Sequence, residues 1–178
     1  MNIFVLDENP VKAAQFCCDK HIVKMPTETA QMLCYVAARH NASQDWSTFP
    51  RRKENGEADP YKVTGSHRKH ACTLWAGSTY DNWQWLVTHG LALCEEYTFR
   101  YGKRHGAEDI IHWCVSHAAR PIFGDLLPFA QCMPDDYRVS DDAVRAYRTY
   151  YLNDKASFAR WREPRKPPEW WIHGFDLR

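Results

Sequence analysis

Long apolar runs are missing from these 178 residues. No stretch approaches the roughly 20 consecutive apolar residues that a membrane-spanning helix needs, and no apolar core behind a basic start marks an export signal. Excess charge of either sign is missing too. Lys and Arg number 23 against 22 Asp and Glu, a net charge of +1. This is no broad polycation, which argues against tight non-specific binding of nucleic acid by charge alone. A local basic face stays open, because steering follows the distribution of charge and not its sum. Paired cysteines are also absent. Cys17, Cys18, Cys34, Cys72, Cys94, Cys114 and Cys132 make an odd total with no C-x-x-C spacing. Neither a disulfide framework nor a zinc knuckle fits them. They read as reduced, buried thiols of a cytoplasmic protein. No repeat, heptad run or low-complexity tract occurs.

What is present suffices for one core. Apolar residues make up 44% and aromatics 14%, with eight Trp and nine Tyr. Large flat rings serve cores, interfaces and base-stacking surfaces alike, so composition does not choose among them. The patterning predicts a mainly α, single compact helical domain with long irregular loops and an extended N-terminal arm or short strand at residues 2–6. Asp7-Glu8-Asn9-Pro10 is a turn into a helix, with Asn9 as cap, Pro10 at the first position and Val11, Ala14 and Cys18 facing inward. Residues 41–66, rich in Asn, Ser, Gly and charge, form a surface loop. A long helical pattern runs from about Ala71 to Phe99, with an interruption near Gly77 or Gly90, and Gly102 suits its C-cap. Residues 107–118 form a short helix, 120–137 an irregular connection, and Ser140 an N-cap for the next helix. Residues 163–178, rich in Pro and Trp, form an extended strap.

The chemistry concentrates in residues 19–33. Met25, Ala30, Met32, Leu33, Val36 and Ala37 make an apolar stripe, and Asp19, His21, Lys24 and Glu28 gather on the other side near the helix start. Lys24 and Glu28 are four apart and so neighbours on a helix. Pro26 predicts a helix that starts or kinks there, with Glu28 in the first turn, where the dipole favours a carboxylate. The same charges also make an ordinary solvated helix start, and the residues alone do not separate the two. His67-Arg68-Lys69-His70 precedes the second long helix, and Arg100-Tyr101-Gly102-Lys103-Arg104 ends it. Each can hold phosphates, or can simply complement helix ends. Using His21, Asp19 and Glu28 as metal ligands finds no supporting spacing.

Taken in order, these segments resemble a known family. Asp19-x-His21 followed by Glu28, the opening Met1-Asn2-Ile3-Phe4-Val5-Leu6, the His67–His70 cluster and Glu96-x-x-x-Arg100-Tyr101-Gly102 are similar to the endonuclease V-type pyrimidine-dimer DNA glycosylases of phages and bacteria. The aromatic, basic Tyr147-Arg148-x-Tyr150-Tyr151 is similar to their C-terminal segment, and a set of uncharacterised phage proteins shows the same motif order. The resemblance implies a helical domain whose α-amine attacks the deoxyribose C1′ of a damaged nucleotide and expels the base, leaving an imine that eliminates to nick the strand. It implies Glu28 as the helper carboxylate and His21 as its neighbour. The nucleophile is then the amine of Met1 or, after processing, of Asn2, with Lys24 as the substitute. His67, Arg68, Lys69, His70, Arg100, Tyr101, Lys103 and Arg104 are the expected DNA contacts. The partner is DNA, damaged or modified and double-stranded, with no metal or other cofactor. The alternative is a nucleic-acid-binding or base-modification accessory protein that keeps the scaffold without the lyase chemistry.

Overall fold

Two 22-residue helices, α2 (Asp19–His40) and α4 (Tyr80–Tyr101), form the spine of the computed structural model, which describes residues 1–63 and 65–174. Around them lie α1 (Pro10–Phe16), α3 (Ala71–Ala76), α5 (Glu108–His117), α6 (Ala143–Tyr150) with a π-turn at Tyr151–Lys155, and the single turn α7 (Glu169–Ile172). No strand occurs among the described residues; one isolated bridge joins Arg52 to Ala58. Helix α2 packs on α3, α4 and α5, and α1 packs on α4. One continuous apolar cluster runs from Ile3 in the arm to Ala159 behind α6.

The apolar stripe of α2 lies inward as its spacing implies, with Met25, Ala30, Met32, Leu33, Val36 and Ala37 all buried. The helix starts at Asp19, however, so Pro26 sits in its interior and Glu28 well past its first turn. Proline there removes one hydrogen bond and crowds the preceding turn, at a cost of about 3 kcal/mol. Burial of Ile22, Met25 and Leu33, each worth roughly 1.5–3 kcal/mol, outweighs it.

The long helical pattern after residue 70 breaks at Gly77, and Thr79 caps α4 by accepting from the Asn82 N–H at 3.2 Å. Gly90 does not interrupt α4. It lets α2 come close, since a Cβ there would lie 2.4 Å from Thr29 Cγ2. Gly102 ends α4 in the left-handed conformation at φ +66°. Asn9 caps α1 through the Val11 and Lys12 N–H groups, but Val11 itself is exposed while Ala13 and Ala14 face inward. Helix α6 begins after Asp142, not Ser140. The Asp142 carboxylate accepts from the Arg145 N–H at 2.8 Å, while the Ser140 hydroxyl turns to Asp141. The loop after α2 is anchored rather than free, with Phe49 buried and Trp46 stacked on Trp113. The segment from residue 163 is largely irregular, interrupted by α7, and residues 175–178 of the expected strap lie outside the described part.

The arm is held by side chains. It turns sharply at Phe4, whose φ is +40°, and the Arg148 guanidinium donates to the Leu6 carbonyl at 2.8 Å. This turn carries the amino terminus back over α2.

Candidate active site

Asn2 fixes the end of the arm. Its side-chain oxygen accepts from the Ile3 N–H at 2.8 Å, and its side-chain amide donates to the Cys132 carbonyl at 2.7 Å. Its backbone N–H donates to Glu28 Oε2 at 3.0 Å. The terminal nitrogen of Met1 lies 3.9 Å from the same oxygen. Only 2% of the Met1 side chain is exposed while the residue as a whole is half-buried, so what remains accessible is its backbone end. Lys24 Nζ, one turn before Glu28, sits 3.0 Å from Oε1 with 69% of its side chain exposed. Glu28 is thus a nearly buried carboxylate between two amines, one on the arm and one on its own helix.

A cavity of about 420 Å³ opens beside this group. His21 and Phe4 form one wall, their rings stacked at 4.1 Å. His21 Nδ1 is hydrogen-bonded to the Tyr151 hydroxyl. Burial pushes the His21 imidazole down to about 3, and the cations Lys155 and Lys24 add to the effect. His21 is therefore neutral at ordinary pH, an aromatic wall that hydrogen-bonds to Tyr151. Next to Phe4, whose ring is stacked with Tyr150 at 6.4 Å, Lys155 Nζ lies 4.1 Å from the Tyr150 ring centre and 2.8 Å from its hydroxyl. Lys20 lies 4.6 Å from the ring centre of Phe158. Lys20, Lys24 and Lys155 thus line the same cavity as Glu28, a set of cations that suits an anionic ligand.

The basic cluster before α3 is accessible in part. His67 and Lys69 are exposed, Arg68 and His70 are half-buried, and Arg68 reaches the Ala38 carbonyl at 3.5 Å. His70 approaches the site most nearly. Burial lowers its imidazole first, and the positive charge of the amino terminus lowers it further.

The cluster after α4 divides. Arg100 is 4% exposed and faces the interior, where it meets Glu96 Oε1 at 2.7 Å, Asp19 Oδ1 at 3.0 Å and the Gln15 carbonyl at 3.0 Å. That geometry is a tether between α1, α2 and α4, away from any phosphate at the surface. Tyr101 is half-buried, stacked on Tyr97 with the Arg162 guanidinium over its ring. Lys103 is exposed, and Arg104 is exposed but paired with Glu108 and Asp109. The fold thus brings together Met1, Asn2, His21, Lys24 and Glu28, with His70 nearby. Lys20, Cys132, Tyr150, Lys155 and Phe158 join the cavity without having been singled out as site residues. Lys20 adjoins His21, and Tyr150 stood in the aromatic patch, but nothing local marks Lys155 or Cys132.

Neither a curated protein nor a solved structure matches the chain. A family model described as pyrimidine dimer DNA glycosylase matches residues 1–109. That span holds the terminal amine, Glu28 and both basic clusters, and ends before Cys132, Tyr150 and Lys155. With well over half of its length matched, the chain belongs to the pyrimidine dimer DNA glycosylase family, which supports a DNA glycosylase function with DNA as its partner.

Proposed function

We propose that the chain removes a damaged base from double-stranded DNA and cleaves the resulting abasic site through an imine, with the terminal amine as nucleophile and Glu28 as the helper carboxylate. The observation that carries this reading is the 3.9 Å approach of the terminal nitrogen to Glu28 Oε2 at the edge of a lysine-lined cavity. Were Asn2 the first residue, its nitrogen would start 3.0 Å from the same oxygen, so either terminus suits the chemistry.

A neutral amine attacks C1′ of the deoxyribose, forming the N–C1′ bond as the glycosidic bond breaks and the base departs, taking a proton from water. An α-amine is intrinsically a weaker base than a lysine side chain, which suits a chain terminus to nucleophilic attack. Glu28 stabilises positive character at C1′ during this step and accepts the proton that the attacking nitrogen sheds. Sugar-ring opening, with the proton on Glu28 passing to O4′ as the C1′–O4′ bond breaks, gives the protonated imine. Loss of a C2′ proton to the regained Glu28 carboxylate then forms the C2′=C3′ bond and expels the 3′ phosphate as the C3′–O bond breaks, and the strand is nicked. Lys20, Lys24 and Lys155 hold the flanking phosphates, and the neutral His21 keeps that wall apolar and upright. A base reaches such a cavity only by leaving the stack. Lys24 is less suited to attack, because it is mostly exposed and paired with Glu28, whereas a lysine nucleophile needs desolvation.

Borohydride trapping on a duplex containing an abasic site tests the assignment. The covalent adduct is expected with the intact chain and with Lys24→Met, and is expected to vanish when the terminus is acetylated. An adduct that survives acetylation but is lost in Lys24→Met moves the nucleophile to Lys24. Duplex binding with no adduct at all supports the accessory-protein reading instead.

A further inference from the structure

Near the amino terminus lies a second cluster. His70 and Cys72 stand at the entry to α3, and Cys132 comes from the irregular segment between α5 and α6. Donor atoms of all three lie within 4.8 Å of one another, and among the described residues this is the one such group of three. The two sulfurs are 3.1 Å apart. We propose that His70, Cys72 and Cys132 bind a soft divalent cation, zinc by preference, which staples the 130–133 segment to α3.

The donor set selects the metal class. Two thiolates and one imidazole match zinc in a tetrahedral site and disfavour magnesium or calcium, which take oxygen ligands. Three protein ligands leave the fourth position to water. With Zn–S bonds of about 2.3 Å, sulfurs on one tetrahedral ion stand roughly 3.8 Å apart, so the present pair opens by roughly 0.7 Å to admit it. The Cys72 N–H contact to His70 Nδ1 is long at 3.3 Å and is readily exchanged for a metal–nitrogen bond. Binding converts two thiols to thiolates and releases two protons to solvent.

The site sits where it matters to the arm. The Cys132 carbonyl holds the Asn2 side-chain amide at 2.7 Å, and the Tyr147 hydroxyl accepts from the Cys132 N–H at 3.2 Å. A metal on Cys132 therefore steadies the peptide that clamps the amino terminus. Cys132 lies outside the 1–109 span of the family match, so this inference does not draw on that match. It also stands apart from the imine chemistry, because its readouts are spectroscopic.

The test uses the reduced, metal-free full-length chain, titrated anaerobically with cobalt(II). A thiolate-to-cobalt charge-transfer band with tetrahedral ligand-field bands is expected, saturating at one equivalent and displaced by zinc. Cys132→Ser and His70→Gln are each expected to weaken binding by more than tenfold while the circular dichroism of the helices persists. Cys34→Ala, which alters the separate buried Cys34–Cys114 pair, leaves the band unchanged. A folded protein with no such band, a band that survives Cys132→Ser, or thiols that only oxidise to a Cys72–Cys132 disulfide without taking up metal would each overturn the site.

Discussion

Phe4 lies flat on His21, with ring centres 4.1 Å apart and planes 18° from parallel. The contact comes from a backbone at φ +40°, a region that costs a residue other than glycine about 1–3 kcal/mol. Burial of the ring among His21, Tyr147 and Tyr151 offsets that cost. The reversal at Phe4 is what turns the arm back, so that Asn2 meets Glu28. Strain in the arm and placement of the nucleophile are therefore one feature.

Phe4→Ala is expected to lower unfolding free energy by about 3–5 kcal/mol, as deletion of a buried ring usually does. Phe4→Leu retains more of the burial but not the flat stack on His21. It should keep most of the stability, measured by urea titration, while losing borohydride adduct by more than tenfold.

Glu28→Gln preserves the size of the side chain and its bond from the Asn2 N–H but removes the charge. Single-turnover base release should slow by about 10²–10⁴-fold, the usual range for a lost acid–base group. Duplex affinity should change little, because Glu28 repels phosphate if it acts on it at all. A variant that cleaves at the original rate would take Glu28 out of the chemistry.

Two histidines make the fold acid-sensitive. Burial pushes both His21 and His89 from the ordinary 6.5 down to about 3. His89 is stacked on Trp85 with neither ring nitrogen partnered. The unfolded chain takes up protons below 6.5 that the folded chain refuses until about 3. Their contribution is thus complete above pH 6.5 and is lost as the pH falls toward 3, by an amount of order a few kcal/mol per residue. Urea midpoints should drop between pH 7 and pH 4.5, and His89→Phe should flatten part of that slope.

Arg100 and Lys103 should behave oppositely although they are three residues apart. Arg100→Ala strips the charged partner from Asp19, leaving it the Arg162 N–H, and one partner from Glu96, which Arg165 also holds. Removing one member of a buried pair costs about 3–5 kcal/mol, read as a lower melting temperature. Lys103→Ala leaves stability unchanged. If Lys103 touches a phosphate, the slope of log affinity against log salt falls by about 1.

Much of α2 was readable beforehand, since Lys24 and Glu28 at i, i+4 and the buried stripe both follow from a 3.6-residue period. The start of α2 was not, because an interior proline is a local penalty that only tertiary burial can outweigh. Arg100 misled for a related reason. A cation near a helix end looks like a dipole partner or phosphate contact, and only the arrival of Asp19 from 81 positions away shows it to be an interior tether. The Glu96-x-x-x-Arg100 spacing carried the one local hint of an ion pair. Tyr150, Lys155 and Cys132 reach the cavity across more than 100 residues of sequence, and no periodicity records a contact of that range. Asn2 was legible only as a possible terminus. Its role as a three-way clamp depends on a carbonyl 130 residues away.

The closest test of how the helices position the carboxylate lies at Gly90. An alanine there would place its Cβ 2.4 Å from Thr29 Cγ2, next in sequence to Glu28. The helices must part or α2 must rotate, and overpacking of this kind costs about 1–3 kcal/mol. Gly90→Ala should therefore reduce both stability and adduct formation, the latter because the Glu28 carboxylate swings away from the terminal nitrogen. Thr29→Ser removes the offending methyl and keeps the hydroxyl. The double variant is expected to recover most of both losses, giving a coupling of about 1 kcal/mol or more in a double-mutant cycle. Independent, additive effects would mean that the α2–α4 approach does not set the geometry at Glu28.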